Sequence, residues 1–147
     1  MRVYLDTSIY NRPFDDQNQV KIFLETQATI SILRLINEKS LELVVSSVLE
    51  QENQRNSSLI RQQFTALYLN KATLYQFIDS SIIERGEQLK NQGLKTFDAL
   101  HVACAEAANC DYLITCDRRL INACKSLAIN VINPVNFILE TEDENLK

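Results

Sequence analysis

Short apolar runs alternate with stretches of helical periodicity along almost the whole chain, and that alternation most narrows what it can become. "RVYL" at 2–5, "LELVV" at 41–45, "DYLIT" at 111–115 and "INVIN" at 129–133 read as buried strands, and "ATLYQFI" at 72–78 is open to the same reading. The segments between them carry apolar residues at helical spacing, most clearly Val20, Phe23, Leu24, Ile30, Leu33 and Ile36 in the stretch from Gln19 to Lys39. Strands that alternate with helices favour a parallel sheet covered on both faces, an α/β fold. Two glycines and two prolines in 147 residues argue against a loop-rich all-β design.

The remaining elements follow from local signals. "TSIYNRPFDDQ" after the first strand reads as a loop or broken turn around Pro13. Ser46 or Ser47 looks like an N-cap, and Glu50 stands three residues after Ser47, as a capping box requires. Helices are expected over Val48–Asn53 and Ser58–Leu69. Another follows Asp79 or Ser80 and ends near Gly93. Thr96 or Phe97 to Ala108 reads as a strong helix, as does "RRLINACKSL". Pro134 opens a short helix through Leu139. The chain is thus expected to form one domain over 1–140 with a frayed acidic tail over 141–147.

Composition sets bounds on function. A 46% hydrophobic content supports a core without staples, and no apolar run approaches the roughly 20 residues of a membrane span. The opening "MRVYLDTSIY" lacks a secretory core, so a cytoplasmic protein with no membrane partner is expected. Cys104, Cys110, Cys116 and Cys124 form no CxxC, and they read as buried free thiols suited to a reducing compartment. The net charge of −4 gives no overall basic footprint for nucleic acid, although a local basic patch fits within an acidic chain.

The acidic residues fall in a pattern. In open α/β sheets, functional groups collect beyond the carboxyl ends of the strands. Asp6 sits just past the first strand and Asp117 just past "YLIT". Glu50 and Glu52 lie on the helix after the second strand, and Asp98 lies in the first turn of a helix. Two unit charges about 4 Å apart repel by roughly 4 kcal/mol at an effective dielectric of 20. A cluster of such acids is tolerable where a divalent cation sits among them or protons are shared. Oxygen ligands select hard ions, Mg²⁺ or Mn²⁺, which clamp phosphates and acidify water. Taken singly, each acid also has a plain structural reading as a turn former, helix charge or cap; Asp111, before a strand, is read as a turn former alone.

Three stretches together carry a resemblance: "VYLDTSIY", "LVVSSVLEQE" and "FDALHVACAEAANCDYLITCDRRL". The last resembles a D-A-x-x-x-A-x-A helix, an apolar strand and T-x-D. The chain resembles the PIN-domain nucleases, and among them the small VapC-like toxins of type II toxin–antitoxin pairs. The resemblance implies a three-layer α/β/α sandwich with a mainly parallel sheet and a metal-dependent ribonuclease site. Asp6, Asp98 and Asp117 match the family's three aspartates as ligands of Mg²⁺ or Mn²⁺. Glu52, rather than Glu50, matches the glutamate that completes the shell or orients the attacking water. The two lie about 200° apart around a helix, so only one can face the site. Thr7, Ser8 and Thr115 match supporting hydroxyl positions. RNA is the implied substrate, hydrolysed to leave a 5′-phosphate on one product. An antitoxin protein and a homodimer are the implied partners.

Other residues keep two readings. Arg12, Arg118 and Arg119 lie near predicted strand ends, placed either for phosphate contact or as exposed helix charges. Asp15 and Asp16 could widen the metal site or bind a partner, and read in preference as surface charges. His101, one turn after Asp98, reads as a satisfied core or near-surface histidine in preference to a base. Two further functions compete with the nuclease. One is a non-catalytic RNA-binding or regulatory module on the same fold. The other is an aspartyl phosphotransferase, for which position 8 carries serine where a second aspartate is expected.

Overall fold

The structure, a computed structural model, describes residues 1–145. Five strands form one sheet: β1 (Arg2–Leu5), β2 (Glu42–Ser46), β3 (Leu74–Gln76), β4 (Tyr112–Ile114) and β5 (Asn130–Ile132). Their order is β3-β2-β1-β4-β5 and every pairing is parallel, with Val3 opposite both Leu43 and Tyr112. The strand order reverses at β1, so the crevice of this fold opens beyond the carboxyl ends of β1 and β4.

Alternation along the strands divides the core into two layers. Tyr4, Val44 and Leu113 face one side, where they pack with Ile82, Leu89, Ala99, Val102 and Leu120. Val3, Leu5, Leu43, Val45 and Ile114 face the other, against Ile9, Tyr10, Ile32, Leu33, Leu49, Tyr68 and Phe137. The first layer is closed by α5 (Ser80–Asn91), α6 (Thr96–Ala107) and α7 (Arg118–Ala123). The second is closed by α1 (Thr7–Asn11), α2 (Val20–Asn37), α3 (Ser47–Gln54), α4 (Leu59–Lys71) and α8 (Pro134–Asn145). The expected α/β/α sandwich is therefore present, and its sheet is wholly parallel among the described residues. Helices α2, α5 and α6 each turn out through a left-handed residue, Lys39, Gly93 and Asn109, which after a short loop leads α2 and α6 into the next strand and α5 into α6. Between α5 and α6 the backbones approach closely: a Cβ on Gly86 would meet Leu100 Cδ2 at 3.0 Å.

Three local readings need correction. The segment after β1 is not a loop: α1 begins at once, and a 3-10 turn follows over Arg12–Phe14. Asp6 caps α1 by accepting from the Ser8 amide, and Pro13 sits at the start of the turn, where its missing N–H costs nothing. The capping box at Ser47 does not form. Ser46 caps α3 by accepting from the Leu49 amide at 3.1 Å, so the third helical position holds no carboxylate, and Glu50 instead takes a bond from the Tyr75 hydroxyl. The last helix continues past Leu139 to Asn145; of the acidic tail expected over 141–147, positions 146 and 147 lie outside the described residues. Among the described residues no helix is long and apolar enough to cross a membrane.

Asp15 is more than a surface charge. It accepts from Arg12 at 3.0 Å and from Arg61 at 2.9 Å, tying the 3-10 turn to α4. Arg12 also meets the buried Glu25 at 3.2 Å, which removes it from the set of free phosphate ligands. All four cysteines are free, and burial pushes their thiols up to about 11 or 12, so they are inert.

Phe137 anchors α8 to the sheet, fully buried and edge-on to Tyr112 at 5.1 Å. Phe137→Ala is expected to cost about 3–5 kcal/mol of stability in urea unfolding.

Candidate metal-binding active site

Asp6 continues the alternation of β1, so its side chain falls on the same face as Tyr4. It is 5% exposed, and hydroxyls hold both its oxygens. Oδ1 accepts from the Ser8 amide at 3.1 Å and from Ser8 Oγ at 2.5 Å; Oδ2 accepts from Thr115 Oγ1 at 2.5 Å. These hydroxyls are held in turn. Ser8 Oγ accepts from the Cys116 amide at 2.9 Å, and Thr115 Oγ1 from the Asp117 amide at 3.0 Å. The ends of β1 and β4 are thereby joined through one carboxylate.

Asp117 caps α7, accepting on Oδ1 from the amides of Arg119 at 2.9 Å and Leu120 at 3.4 Å. Its Oδ2 is not used in the cap. Asp98 lies half-buried in the first turn of α6 and accepts no hydrogen bond among the described residues. Glu52, on α3, accepts on Oε1 from the Thr7 hydroxyl and faces His101 Nε2 at 2.9 Å. Glu50, on the other side of the same helix, points to Tyr75.

The four acids sense one another. Burial pushes Asp6 up to about 6, partly offset by Ser8, Thr115 and His101, and Asp98 adds to the rise. Asp98 is raised chiefly by burial. His101 counters this, and the charges of Asp117 and Glu52 reinforce it. Burial also raises Glu52, but His101, Thr7 and Arg55 together outweigh it and hold the carboxyl below its ordinary value. Asp98 is thus the hub: each of the other three acids lies within its electrostatic reach.

Among the described residues, no three Asp, Glu, His or Cys side chains stand close enough to enclose a metal by themselves. The donor set is all hard oxygen, and Oδ2 of Asp117 and both oxygens of Asp98 are unspent. That arrangement fits a hydrated Mg²⁺ or Mn²⁺, because Mg²⁺ keeps several waters and takes only one or two carboxylates directly.

Cations rim the acids. Arg55 lies 5.1 Å over the Phe97 ring and its charge reaches Glu52, while Lys95 acts on Asp98. Arg118 and Arg119 are exposed and make no ion pair among the described residues. A cleft of about 220 Å³ next to Cys116 is lined by Lys21, Arg118 and Lys125 together with Asn122, Asn133 and Asn136. Sequence reasoning had named Arg118 and Arg119 but not Arg55, Lys95, Lys21 or Lys125. Nothing in their local sequence separates them from ordinary surface charges. Tyr4 and Ser46, which prove to be bonded to His101 and to each other, had been read only as a core residue and a cap.

The PIN-domain profile matches residues 3–126. The chain belongs to the PIN-domain family. That family is one of nucleases, which assigns nuclease chemistry in general terms. No curated protein matches the chain in sequence. The PIN fold recurs in solved structures of low identity. FitAcB from Neisseria gonorrhoeae is 14% identical, with a TM-score of 0.56, over 90% of this chain and 97% of that one. VapBC2 from Rickettsia felis, bound to a DNA fragment from its promoter, is 14% identical, with a TM-score of 0.58, over 90% and 98%. PAE2754 from Pyrobaculum aerophilum is 15% identical, with a TM-score of 0.53, over 98% and 90%.

The raised Asp6 carboxyl has a consequence for stability. In excess chelator, Asp6→Asn is expected to unfold at higher temperature than wild type at neutral pH. Below the unfolded value of 3.8 the aspartate is protonated folded and unfolded alike, and the two proteins should converge. Between that value and about 6 the folded wild type binds the extra proton, so its stability falls as pH rises. The gap should reach about 1–3 kcal/mol above pH 7, read by thermal unfolding across pH.

Proposed function

We propose that the chain is a metal-dependent endoribonuclease that hydrolyses RNA phosphodiester bonds at Asp6, Asp98, Asp117 and Glu52. The observation that carries this reading is that Asp6, Asp117 and Glu52 all lie within electrostatic reach of Asp98, at the carboxyl edge of the parallel sheet. In this reading Asp6, Asp98 and Asp117 hold the cation, directly or through water, and Ser8 and Thr115 keep Asp6 from turning away. A bound Mg²⁺ or Mn²⁺ would neutralise phosphate charge and acidify a water. Glu52 orients the attacking water and accepts its proton. Hydrolysis leaves a 5′-phosphate on one product. Lys21, Arg118 and Lys125 track the RNA backbone beyond the scissile phosphate, and Arg119 adds a further contact.

Asp6→Asn, Asp98→Asn and Asp117→Asn should each lower RNA cleavage on the order of 100-fold or more while the circular dichroism stays native. Full cleavage by any of the three, or by wild type in excess chelator, would sink the mechanism. Charge reversal at Arg118 and Lys125 should raise KM and flatten the salt dependence of RNA binding, with kcat little changed.

We further propose that the protein acts in the cytoplasm as the toxin of a type II pair, as a homodimer held by an antitoxin. The support is that solved VapBC and FitAB assemblies share its fold. The antitoxin is expected to send an arginine to the carboxylates, which can pair with a guanidinium bidentately. Co-purification with a small arginine-bearing protein encoded next to it is the expected result. The competing reading is a non-catalytic RNA-binding or regulatory module, and the presence of all four acidic positions argues against it. It predicts no Mn²⁺ binding by calorimetry even at millimolar metal.

A further inference from the structure

A chain of buried hydrogen bonds runs from the interior of the sheet to Glu52. Ser46 Oγ accepts from the Leu49 amide at 3.1 Å and lies 2.6 Å from the Tyr4 hydroxyl. The Tyr4 hydroxyl lies 2.6 Å from His101 Nδ1, and His101 Nε2 lies 2.9 Å from Glu52 Oε1. Ser46 and Tyr4 are wholly buried and His101 is 1% exposed. Each buried polar atom in such a chain must find a partner of the right sense.

The order of protons follows from the contacts of the ring. Oε1 of Glu52 already accepts from Thr7 and is an acceptor toward the imidazole as well, so the 2.9 Å contact needs the ring proton on Nε2. In the neutral ring Nδ1 is then the acceptor, so Tyr4 donates to it, and the Ser46 hydroxyl donates to the Tyr4 oxygen while accepting from the Leu49 amide. Burial raises the Tyr4 phenol well above the ordinary value, so the group keeps its proton. The imidazole is thereby set in its Nε2–H form with its plane fixed by α6, β1 and β2 at once.

Two donors therefore converge on one oxygen of Glu52. Thr7 Oγ1 and His101 Nε2 both point at Oε1, and no donor among the described residues reaches Oε2. We infer that His101 is a positioning residue, which pins Oε1 of Glu52 and leaves Oε2 as the single oxygen that Glu52 presents to the acidic cluster. On the nuclease reading above, Glu52 then serves one water or one coordination position and does not clasp the cation with both oxygens.

Three measurements test this. In wild type, long-range proton–nitrogen spectra at about pH 8 should find the His101 proton on Nε2 and Nδ1 bare; a proton on Nδ1 overturns the assignment. Two variants then separate the ring's contacts. The amide of His101→Gln reaches the place of Nε2 and can donate to Oε1, whereas His101→Asn reaches only Tyr4. The asparagine variant should lose about 10- to 100-fold in kcat for RNA cleavage at unchanged KM, with the glutamine variant recovering most of it. Equal losses in the two overturn the proposal. If wild type does not cleave RNA, the nuclease reading fails alone, and crystal structures of the two variants decide this one. Glu52 should keep its rotamer with glutamine and leave it with asparagine; an unmoved Glu52 in the asparagine variant overturns the inference.

Discussion

The carboxylate of Asp6 is the constraint on which the open edge of this sheet depends. It is an ionisable group at the end of the central strand, almost without solvent, and such a group survives only if its oxygens are paired. Hydrogen bonds to charged groups contribute about 1.5–3 kcal/mol each. Asp6 has three, from the amide and hydroxyl of Ser8 and from Thr115. The same bonds cap α1 and clamp the turn after β4, because Ser8 and Thr115 also accept from the Cys116 and Asp117 amides. One side chain therefore sets where two elements end and the next two begin. Burial nonetheless holds the Asp6 carboxyl above its ordinary value, with a smaller contribution from the charge of Asp98. A carboxylate short of solvation is one that a cation would stabilise.

Repulsion is distributed unevenly. Asp6 is paired by hydroxyls, Asp117 spends one oxygen on a helix cap, and Glu52 is paired by Thr7 and His101. Asp98 alone has no hydrogen-bonding partner among the described residues, yet it feels the other three acids. A rigid frame thus surrounds one uncommitted carboxylate. In a centre that exchanges cation, water and phosphate, the uncommitted group can adjust its geometry while the frame stays put. Cooperation between a fixed set of ligands and one adaptable ligand suits an ion that holds its waters firmly.

Much of this was legible in the sequence because the signals were local. A run such as "LVV" or "YLI" is too short and too apolar for an exposed helix, and regular alternation with helices implies parallel strands. Asp6 and Asp117 could be placed because a strand end is a sequence feature. The rotation of 200° between positions 50 and 52 was enough to separate their directions once the helix existed, and the structure sends Glu50 to Tyr75 and Glu52 to Thr7 and His101. What stayed illegible was non-local. "TSIYN" is too short to show a helical period, and its cap is the residue also read as a ligand. Arg12 and Asp15 looked like free charges because their partners, Glu25 and Arg61, lie 13 and 46 residues away. His101 meets Tyr4 across 97 positions. A tyrosine inside an otherwise apolar buried strand was the one available hint, since a buried phenol needs a partner for its hydroxyl.

The net charge of −4 no longer argues against a nucleic-acid substrate once charges are sorted by place. Four of the acids stand at the sheet edge, where a divalent cation would cancel part of their field. Asp15, Glu25 and Glu106 are consumed in ion pairs with arginines. Lys21, Arg118 and Lys125, which make no ion pair among the described residues, line one cleft beside the turn that carries Thr115 and Asp117. Screening limits the reach of exposed charges to about 8–10 Å at ordinary ionic strength. A phosphodiester entering that cleft would therefore meet the local cations and hardly feel distant carboxylates. The bare acidic cluster would repel it, and the loaded one would not. On the proposed nuclease reading, backbone affinity and metal occupancy would then be coupled: metal would tighten RNA binding, and RNA would tighten metal binding by the same factor.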